Sequence, residues 1–364
     1  MIIHDENLYF IGGVVRDEIL GLPSFDIDFT YNGNAVEFAK TIDNAEILQI
    51  NEPFGTVRIK MDNDEIDIAS TRSESYPHKG HLPVIDKIGC SLKEDVMRRD
   101  FAVNALAKST LTGEIIDYTG GLEDIKNKTL RVLHDGSFID DPTRIVRGLK
   151  FAIRFGFELD EHTKKLQDDY LLNINYDMSY KRLKKELIET FNLNKWEAFE
   201  RFVNQGIYKL VSPKCFVLPR YDFSELIKKF NPKNVWIIYI GLLPDISNIP
   251  LTKIEKQIVE GFVKLKNLKT NSKFEIYKIF KTVPFESVIM YSTVNYKIVE
   301  KYLNEIKDIE ILINGNDLKN LGFKPSPKYQ ECFDFILEKK IENQKLTQND
   351  EIKLAKIFFQ KNNI

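Results

Sequence analysis

The chain has 364 residues, and 43% of them are hydrophobic, so it is long enough to bury a large core and to form more than one domain. Its formal net charge of −2 argues against a protein that binds nucleic acid through a global basic field, although its 52 lysines and arginines leave room for a local basic face. The three cysteines, Cys90, Cys215 and Cys332, lie far apart and lack the spacing of a disulfide framework or a zinc site.

Two further observations bear on the cellular location. The start, MIIHDENLYF, has no basic segment followed by an apolar run, so no signal peptide is predicted. The longest apolar stretch, VWIIYIGLL at 235–243, has nine residues, too few to cross a bilayer. Together with the cysteine pattern, these features predict a cytoplasmic protein without a membrane partner.

The first part of the chain, up to about residue 135, shows several strand patterns and only a few helical ones. Such an arrangement predicts an α+β domain built on a mixed sheet. Strands are predicted at 8–11, 26–30, 46–50, 54–60, 65–69 and 115–117, and helices at 14–20, 35–42 and 94–107.

From residue 140 onward the apolar residues recur every three to four positions, which predicts an all-helical remainder. The pattern changes near 136–140, and Pro213 and Pro219 interrupt it again, so we predict three domains with the bounds 1–138, 139–215 and 216–364. Helices are predicted at 143–156, 161–171, 179–190, 195–204, 253–267, 296–308, 327–339 and 348–360.

Asp26 and Asp28 stand two residues apart in the predicted strand at 26–30, so their side chains project from the same face. Phe25, Ile27 and Phe29 then project into the core. Paired carboxylates repel each other unless a cation lies between them, and Mg²⁺ is the ion that such hard oxygen ligands suit. We predict that Asp26 and Asp28 are catalytic metal ligands, and we leave open whether Asp67 in EIDIA joins them or has a structural role.

Gly12 and Gly13 lie between the first predicted strand and the first predicted helix. Residues without side chains at such a turn let backbone N–H groups approach a phosphate closely, and the helix N-terminus favours an anion. Arg16, one turn into the helix, can add a bidentate contact. A glycine turn, an arginine and paired aspartates within 12–28 therefore indicate a metal–triphosphate site.

One more polar group belongs to the candidate site, and a loop precedes it. Arg98, Arg99 and Asp100 are predicted at a helix start, where arginine offers a rigid charged fork to ribose or phosphate oxygens. Ahead of them, the segment 71–87 has no regular period and is predicted to be a mobile loop.

A row of polar residues recurs every three positions on the helix that begins after Asp140-Asp141-Pro142. A three-residue step lags the helical turn by about 60°, so the row slants around the helix and its neighbours lie close together. The members of the row are Asp141, Arg144, Arg147 and Lys150. Arg182 and Glu186, four apart on the helix after next, are predicted to support it.

The segments GGVVRD and DIDF, then RRDFAVNALA at 98–107 and DDPTRIVRGLKFAIRFGF at 140–157, resemble the class II tRNA nucleotidyltransferases. This family includes the bacterial and eukaryotic CCA-adding enzymes, the A-adding and CC-adding enzymes and bacterial poly(A) polymerase. The resemblance covers about residues 5–190. It implies a mixed-sheet head of the DNA polymerase β type, followed by a helical neck that selects the nucleotide and a helical body and tail that bind tRNA.

The resemblance also implies roles for the candidate residues. The expected activity is the addition of C and A to the tRNA 3′ end from CTP and ATP, with Mg²⁺ held by Asp26 and Asp28. The full length of the segment 71–87 resembles members that add the terminal A and not the CC-adding ones. The nucleotide-binding residues carried over are Gly12, Gly13, Arg16, Arg99, Asp100, Asp141, Arg144, Arg147 and Lys150.

Base chemistry gives the templating positions Asp141 and Arg144 a physical meaning. Cytosine and adenine both present an exocyclic amine beside a ring-nitrogen acceptor, and a carboxylate beside a guanidinium matches that pattern. Uracil and guanine reverse it, so one Asp–Arg pair accepts C and A without a nucleic acid template. The family usually has arginine where this chain has Lys150, which keeps the charge but loses the planar fork.

Several alternatives remain open at this point. Within the family, the chain can be an A-adding specialist or, less favoured, a CC-adding enzyme or a poly(A) polymerase without the usual basic extension. Outside it, a non-catalytic RNA-binding module would have no need for the two aspartates.

Overall fold

The computed structural model describes residues 3–23, 28–62 and 64–361, so Asp26 lies outside the described residues. The chain forms two compact units. The first comprises Met1–Leu218 with Pro244–Pro250, and the second comprises Pro219–Leu243 with Leu251–Ile364.

A mixed sheet of seven strands forms the start of the first unit, in the order β3-β4-β5-β2-β1-β8-β9, with β2 and β5 parallel to each other. Two small sheets, β6-β7 and β10-β11, accompany it. The strands are β1 (Leu8–Ile11), β2 (Asp28–Tyr31), β3 (Glu46–Asn51), β4 (Thr56–Met61), β5 (Asp64–Ser70), β6 (Arg72–Ser75), β7 (Val84–Ile88), β8 (Leu106–Ser109), β9 (Ile115–Asp117), β10 (Thr129–Leu130) and β11 (Glu158–Leu159).

Helices account for most of the remaining chain, and the predicted combination of an α+β head with a helical remainder is confirmed. In the first unit they are α1 (Gly13–Ile19), α2 (Ala35–Ala39), α3 (Leu92–Met97), α4 (Gly121–Lys126), α5 (Ser137–Asp140), α6 (Thr143–Phe155), α7 (Glu161–Leu172), α8 (Tyr180–Phe191) and α9 (Trp196–Asn204). In the second they are α10 (Ser224–Phe230), α11 (Val235–Ile240), α12 (Lys253–Lys266), α13 (Lys273–Lys281), α14 (Phe285–Lys301), α15 (Gly315–Asn320), α16 (Lys328–Glu342) and α17 (Gln348–Lys361).

The two faces of the sheet differ in chemistry because successive side chains of a strand point to opposite faces. Phe29, Ile66 and Ile68 are buried in a core cluster that includes residues of α2. Asp28 and Asp67 alternate with them and are exposed on the other face. The prediction that Phe29 enters the core while Asp28 faces outward is therefore confirmed.

The predicted helix at 94–107 is wrong beyond its first turns. Ser91 forms a capping box that begins α3, and the helix ends at Met97. The Asp100 carboxylate then accepts a hydrogen bond from the Phe101 N–H, and the chain turns into β8, which pairs with β1. Arg98-Arg99-Asp100 thus follows the end of a helix and does not stand at a helix start.

The segment 71–87 is more ordered than its sequence suggests. Its two ends form β6 and β7, which pair antiparallel with one irregularity in their register. The prediction of a loop without regular structure holds only for the residues between these strands.

Helix α6 confirms the prediction for 143–156. Thr143 begins it after Pro142, and the Asp141 carboxylate accepts the Thr143 N–H at 3.1 Å. Gly156 ends it in the left-handed conformation, with a φ of 69°. The helix buries Ile145, Val146 and Leu149 and so holds its polar row in a fixed orientation.

The second unit is helical in its described residues and has its own core. One cluster joins α15, α16 and α17 around Ile336 and Phe359. Beside it, Lys340 forms an ion pair with the fully buried Glu351, which also accepts the N–H groups of residues 312 and 313. Helix α14 continues at its end into a short π-helix at Tyr302–Ile306. Among the described helices, none combines the length and the apolar character needed to cross a membrane.

Candidate active site

The glycine turn between β1 and α1 makes room for an arginine. Gly12 has a φ of 71°, and its N–H donates to the Leu106 carbonyl at 3.0 Å. A Cβ atom on Gly12 would lie 3.0 Å from Nη1 of Arg99. Any other residue would therefore be strained in its backbone and would push the guanidinium away.

Arg99 is held in place by Asp95 but keeps unused donors. Its Nη2 donates to Asp95 at 3.2 Å, while its buried Nε has no hydrogen-bond partner among the described residues. Asp95 is fully buried and also binds Arg98. Although burial favours the neutral carboxyl, the ion pairs with Arg99 and Arg98 lower the pKa of Asp95. An arginine with a buried, unsatisfied donor above a glycine turn is well suited to bind an anion.

Arg16 lines the same region, but its guanidinium is already engaged. It is buried, donates Nε to Asp17 at 2.8 Å and binds the Asn104 side chain with Nη1. Its guanidinium carbon lies 4.4 Å from the centre of the Phe155 ring. Burial lowers the pKa of Arg16. The predicted phosphate contact of Arg16 would thus require an exchange of partners, and it stays a prediction.

Asp28 stands directly beside Asp67, because the two are Cα partners on the parallel strands β2 and β5. Asp67 is in turn bound by Arg58 through two hydrogen bonds of 2.8 Å. Carboxylate oxygens of this kind fit a divalent ion. Among the described residues no group of three or more His, Cys, Asp or Glu side chains is placed to hold a metal, and the second predicted ligand, Asp26, lies outside them.

Asp141 and Arg144, the predicted base-reading pair, are both buried at the start of α6. Asp141 binds the Thr143 hydroxyl at 2.6 Å and forms an ion pair with Arg182. Arg144 donates to Ser137 at 2.7 Å and to the Arg98 carbonyl at 3.0 Å. A carboxylate and a guanidinium have more hydrogen-bonding capacity than these contacts use, so both can still bind a base edge.

Arg147 and Lys150 continue the row and share one carboxylate. Arg147 binds Asp100 at 2.7 Å and Glu186 at 3.1 Å, and Lys150 binds Glu186 at 2.8 Å. Asp100 raises the pKa of Arg147. Burial opposes the charge on Asp100, but Arg147 and the Asn104 amide hold the pKa of Asp100 well below its usual range. The row is therefore a fixed ionic network.

The hairpin of β6 and β7 is attached to the Asp141–Arg144 region at several points. The Tyr76 hydroxyl accepts from Arg144 at 3.3 Å, and burial raises the pKa of Tyr76 to about 12. The Gly80 N–H donates to the Asp140 carbonyl at 2.9 Å. Arg182 donates to the His81 carbonyl at 3.0 Å while it binds Asp141. The hairpin thus contacts Arg144 directly and Asp141 through Arg182.

One cavity of about 410 Å³ brings these residues together, and we call it the arginine cavity. Every predicted site residue within the described part of the chain lines it. The lining comprises Ile11, Gly12, Gly13, Arg16, Asp28, Glu74, Arg98, Arg99, Asp100, Asn104, Asp141, Thr143, Arg144, Arg147, Lys150, Phe151, Arg182 and Glu186.

The sequence did not reveal that several further residues line this cavity. Arg182 and Glu186 were predicted as support for α6, yet they line the cavity and bind its row. Glu74, which pairs with Arg98 at 3.2 Å, was not singled out. The four-residue spacing of Arg182 and Glu186 was the available signal, whereas nothing in the sequence near Glu74 indicates that β6 lies beside α3.

The arginine cavity brings together a mixed sheet with an exposed aspartate, a glycine turn and a helix with an ionic row. This combination defines a nucleotidyltransferase. Comparison with known proteins agrees. Residues 8–131 match the family model described as the poly A polymerase head domain. The chain is 30% identical to the A-adding tRNA nucleotidyltransferase of Halalkalibacterium halodurans over 97% of its own length and 89% of that protein. It is 29% identical to the Geobacter sulfurreducens enzyme of the same name over 96% of its length, but it spans only 44% of that protein.

A solved structure of a CCA-adding enzyme in an apo form has the same architecture. The TM-score is 0.80 at 25% identity, over 96% of this chain and 91% of the other. The chain belongs to the tRNA nucleotidyltransferase family, whose members include A-adding and CCA-adding enzymes. Enzymes of this family use a divalent metal.

Proposed function

We propose that this protein adds C and A residues to the 3′ end of tRNA, using CTP and ATP and no nucleic acid template. The observation that supports this most is the position of Arg99. Its buried, unsatisfied Nε and the Gly12 turn provide an anion site in the cavity that also contains Asp28 and the Asp141–Arg144 row. A triphosphate at the turn places its base toward α6 and its α-phosphate toward Asp28.

The reaction joins the acceptor to the nucleotide in one displacement. The 3′-oxygen of the RNA attacks the α-phosphorus, the bond from the α-phosphorus to the bridging oxygen breaks, pyrophosphate leaves, and the hydroxyl proton passes to solvent. Arg99 and the glycine turn hold the triphosphate, which keeps the α-phosphate in one place for attack. Asp95 holds Arg99 through an ion pair and is itself bound by Arg98.

We assign Mg²⁺ as the metal and Asp26 and Asp28 as the residues that hold it, with Asp67 as a neighbour whose charge Arg58 offsets. When bound, such an ion neutralises charge at the transferring phosphate. The D-x-D spacing supports this assignment, since residues two apart in a strand, as predicted for 26–30, project from the same face.

Base selection falls to Asp141 and Arg144, with Arg147 and Lys150 as further nucleotide contacts. Asp141 accepts from the exocyclic amine of C or A, and Arg144 donates to the adjacent ring nitrogen. Both side chains are fixed by other residues, Asp141 by Arg182 and Arg144 by Ser137. A fixed pair rejects U and G because their reversed pattern would leave buried groups unpaired.

An A-adding specialist is the second candidate, since the Halalkalibacterium and Geobacter relatives carry that name. The hairpin that contacts the templating residues disfavours a CC-adding enzyme, and family membership disfavours a purely RNA-binding module. We further propose that residues 1–138 form the catalytic head, 139–215 the nucleotide-selecting neck and 216–364 an RNA-binding body and tail. A cytoplasmic location follows from the proposed substrates.

The deciding experiment uses three tRNA transcripts, which end before CCA, after C and after CC, each with CTP or ATP. A CCA-adding enzyme extends all three when given the matching nucleotide. An A-adding specialist extends only the transcript that ends in CC, and only with ATP. Long adenylate tails on an unrelated RNA would indicate a poly(A) polymerase, and no extension of any RNA would contradict the proposed function.

A further inference from the structure

A second cavity of about 410 Å³ opens on the polar face of the sheet, and we call it the sheet-face cavity. It shares Ile11, Asp28 and Arg99 with the arginine cavity. Its volume lies in the range of about 300–1,000 Å³ that is typical of small-ligand sites. The residues proposed to hold the metal, the triphosphate and the base do not include Gln49, Asn51 or Thr56, which line this cavity away from Asp28.

Strand register explains how the floor of this cavity is built. Gln49, Arg58, Asp67 and Asp28 are successive Cα partners across β3, β4, β5 and β2, so their side chains form one row on one face. Asn51 and Thr56 are partners two positions further along and project from the same face. The floor thus runs from Asp28 to the edge strand β3, where it opens to solvent.

The charges of the two cavities differ. The sheet-face cavity has two arginines, Arg99 at its border and Arg58, whose charge Asp67 offsets through two hydrogen bonds of 2.8 Å. Its other polar side chains are the neutral Gln49, Asn51 and Thr56 and the carboxylate of Asp28. The arginine cavity has six arginines and a lysine against five carboxylates, so its lining is more positive than that of the sheet-face cavity, where two arginines stand against two carboxylates. A triphosphate therefore favours the arginine cavity, while the sheet-face cavity suits a neutral nucleoside.

We infer that the sheet-face cavity receives the 3′-terminal nucleoside of the acceptor RNA, with Gln49 and Asn51 as its hydrogen-bonding contacts. This inference rests on the proposed function. The attacking hydroxyl has to reach the α-phosphate from the side opposite to pyrophosphate, and Asp28 lies at the border that the two cavities share. A carboxamide carries both a donor and an acceptor, so it can bind any base or ribose hydroxyl of an end that changes with each addition.

The test is the double variant Gln49→Ala/Asn51→Ala, compared with Glu46→Ala/Lys60→Ala as a matched control. The control changes two exposed residues on β3 and β4 that pair with each other outside the cavity. Loss of two neutral hydrogen bonds should raise the KM for acceptor RNA by roughly 25-fold, about fivefold for each bond. The KM for ATP and the binding of ATP without RNA should stay within about twofold, and the control should match the wild type.

The outcomes separate the inference from the proposed function. If the wild-type protein extends no RNA, the proposed function fails. If it extends RNA but the double variant keeps its RNA KM, or loses ATP affinity to the same extent, the inference alone fails. A second measurement needs no variant: an acceptor RNA with a photoreactive thiouridine at its 3′ end should crosslink to residues 46–61 of the wild-type protein, and crosslinks confined to other segments would overturn the inference.

Discussion

The carboxylate of Asp28 lies at the border of the two cavities and is proposed to hold the metal, not the RNA. Its replacement is therefore expected to affect transfer and to leave RNA binding nearly unchanged. Asp28→Ala, and equally Asp26→Ala, should lower nucleotide incorporation by ~10²-fold or more, the usual cost of losing such electrostatic stabilisation. Asp64→Ala, which removes an exposed carboxylate from β5, is the control. Incorporation and tRNA affinity would be measured side by side, and retention of more than about a tenth of the activity by both variants would contradict the metal assignment.

Asp141 is proposed to read the base, and its carboxylate also accepts the Thr143 N–H at the start of α6, so the informative change is Asp141→Asn. The amide oxygen can still accept the Thr143 N–H, but the amide nitrogen cannot accept from the exocyclic amine of C or A. Incorporation of UTP or GTP should gain about 5- to 150-fold relative to CTP and ATP, since a good base contact contributes roughly 1–3 kcal/mol of discrimination. The measurement is kcat/KM for all four nucleotides.

The control for this prediction is Asp160→Asn, because the Asp160 carboxylate likewise accepts a backbone N–H, that of Thr163, at the start of a helix but does not line the cavity. It should leave the preference for CTP over UTP intact. A uniform drop in kcat/KM for the Asp141 variant, with that preference unchanged, would mean that Asp141 only supports the helix.

Asp100 gives the protein a stability that depends on pH. Its pKa is well below the usual value of about 3.9, mainly through Arg147 acting against burial. The ion pair therefore stabilises the fold fully above about pH 4 and less as the pH falls further, because the unfolded chain then takes up a proton that the folded one does not. Asp100→Asn should lower the free energy of unfolding by about 3–5 kcal/mol near neutral pH.

The difference between Asp100→Asn and the wild type should shrink as the pH falls below about 4. Urea unfolding at several pH values measures it. A difference that is the same at all pH values would show that the Asp100–Arg147 pair does not titrate as described.

At the scale of elements, the hairpin of β6 and β7 depends on one glycine. Gly80 has a φ of 79°, and a Cβ atom there would lie 2.9 Å from the Asp177 carbonyl oxygen and 2.9 Å from the Met178 side chain. Gly80→Ala should therefore detach the loop tip from the start of α8 and from Arg182. If the hairpin adapts the pocket to the last nucleotide, A addition should fall by about 10-fold or more, a cost of roughly 1.4 kcal/mol, while C addition is spared.

Gly113→Ala is the matched control, since Gly113 has a φ of 74° but no neighbouring atom within 4 Å. Rates of C and A addition would be measured on transcripts that end before CCA and after CC. Deletion within 74–84, bridged by glycines, should reproduce the effect of Gly80→Ala. Equal loss of both activities would indicate general destabilisation of the fold.

Prediction from sequence worked where a local pattern decides the structure. Helix α6 follows from an N-terminal signature and a buried apolar face, and Asp28 faces outward because strands alternate. The helix predicted at 94–107 failed because Phe101 forms a bridge with Val132 and the chain then enters β8, which pairs with β1. No local pattern reveals these contacts. Two partners of Arg144, the Tyr76 hydroxyl and the Arg98 carbonyl, escaped prediction for the same reason, since the elements that supply them meet only in the folded chain.

For the whole molecule, the path of the chain between the two units was not predictable. Residues 244–250 belong to the first unit, where Asn248 contacts Tyr180 and the Pro250 carbonyl accepts from Lys184 at 2.8 Å. Each contact is a single hydrogen bond between residues that lie far apart in the sequence. The sequence shows only prolines near this segment, and prolines do not tell to which unit it returns.

The two units are expected to respond differently to the two substrates. The arginine cavity belongs to the first unit, so ATP should stabilise that unit. At an ATP concentration 100 times Kd, the free energy of unfolding of this unit should rise by about 2.7 kcal/mol, and hydrogen exchange around the lining residues should slow accordingly. The core around Ile336 and Phe359 has no part in that cavity and should exchange as before. Acceptor tRNA should add protection in the second unit if the body and tail bind RNA.

Hydrogen exchange followed by mass spectrometry distinguishes these responses within one protein sample. The internal control is the buried Lys340–Glu351 pair, whose surroundings should remain protected with and without ATP. Protection of 313–359 by ATP alone would contradict the assignment of nucleotide binding to the first unit. A tRNA complex that protects only the first unit would contradict an RNA-binding body and tail, and it would place the whole of RNA recognition on the sheet, on α6 and on their neighbours.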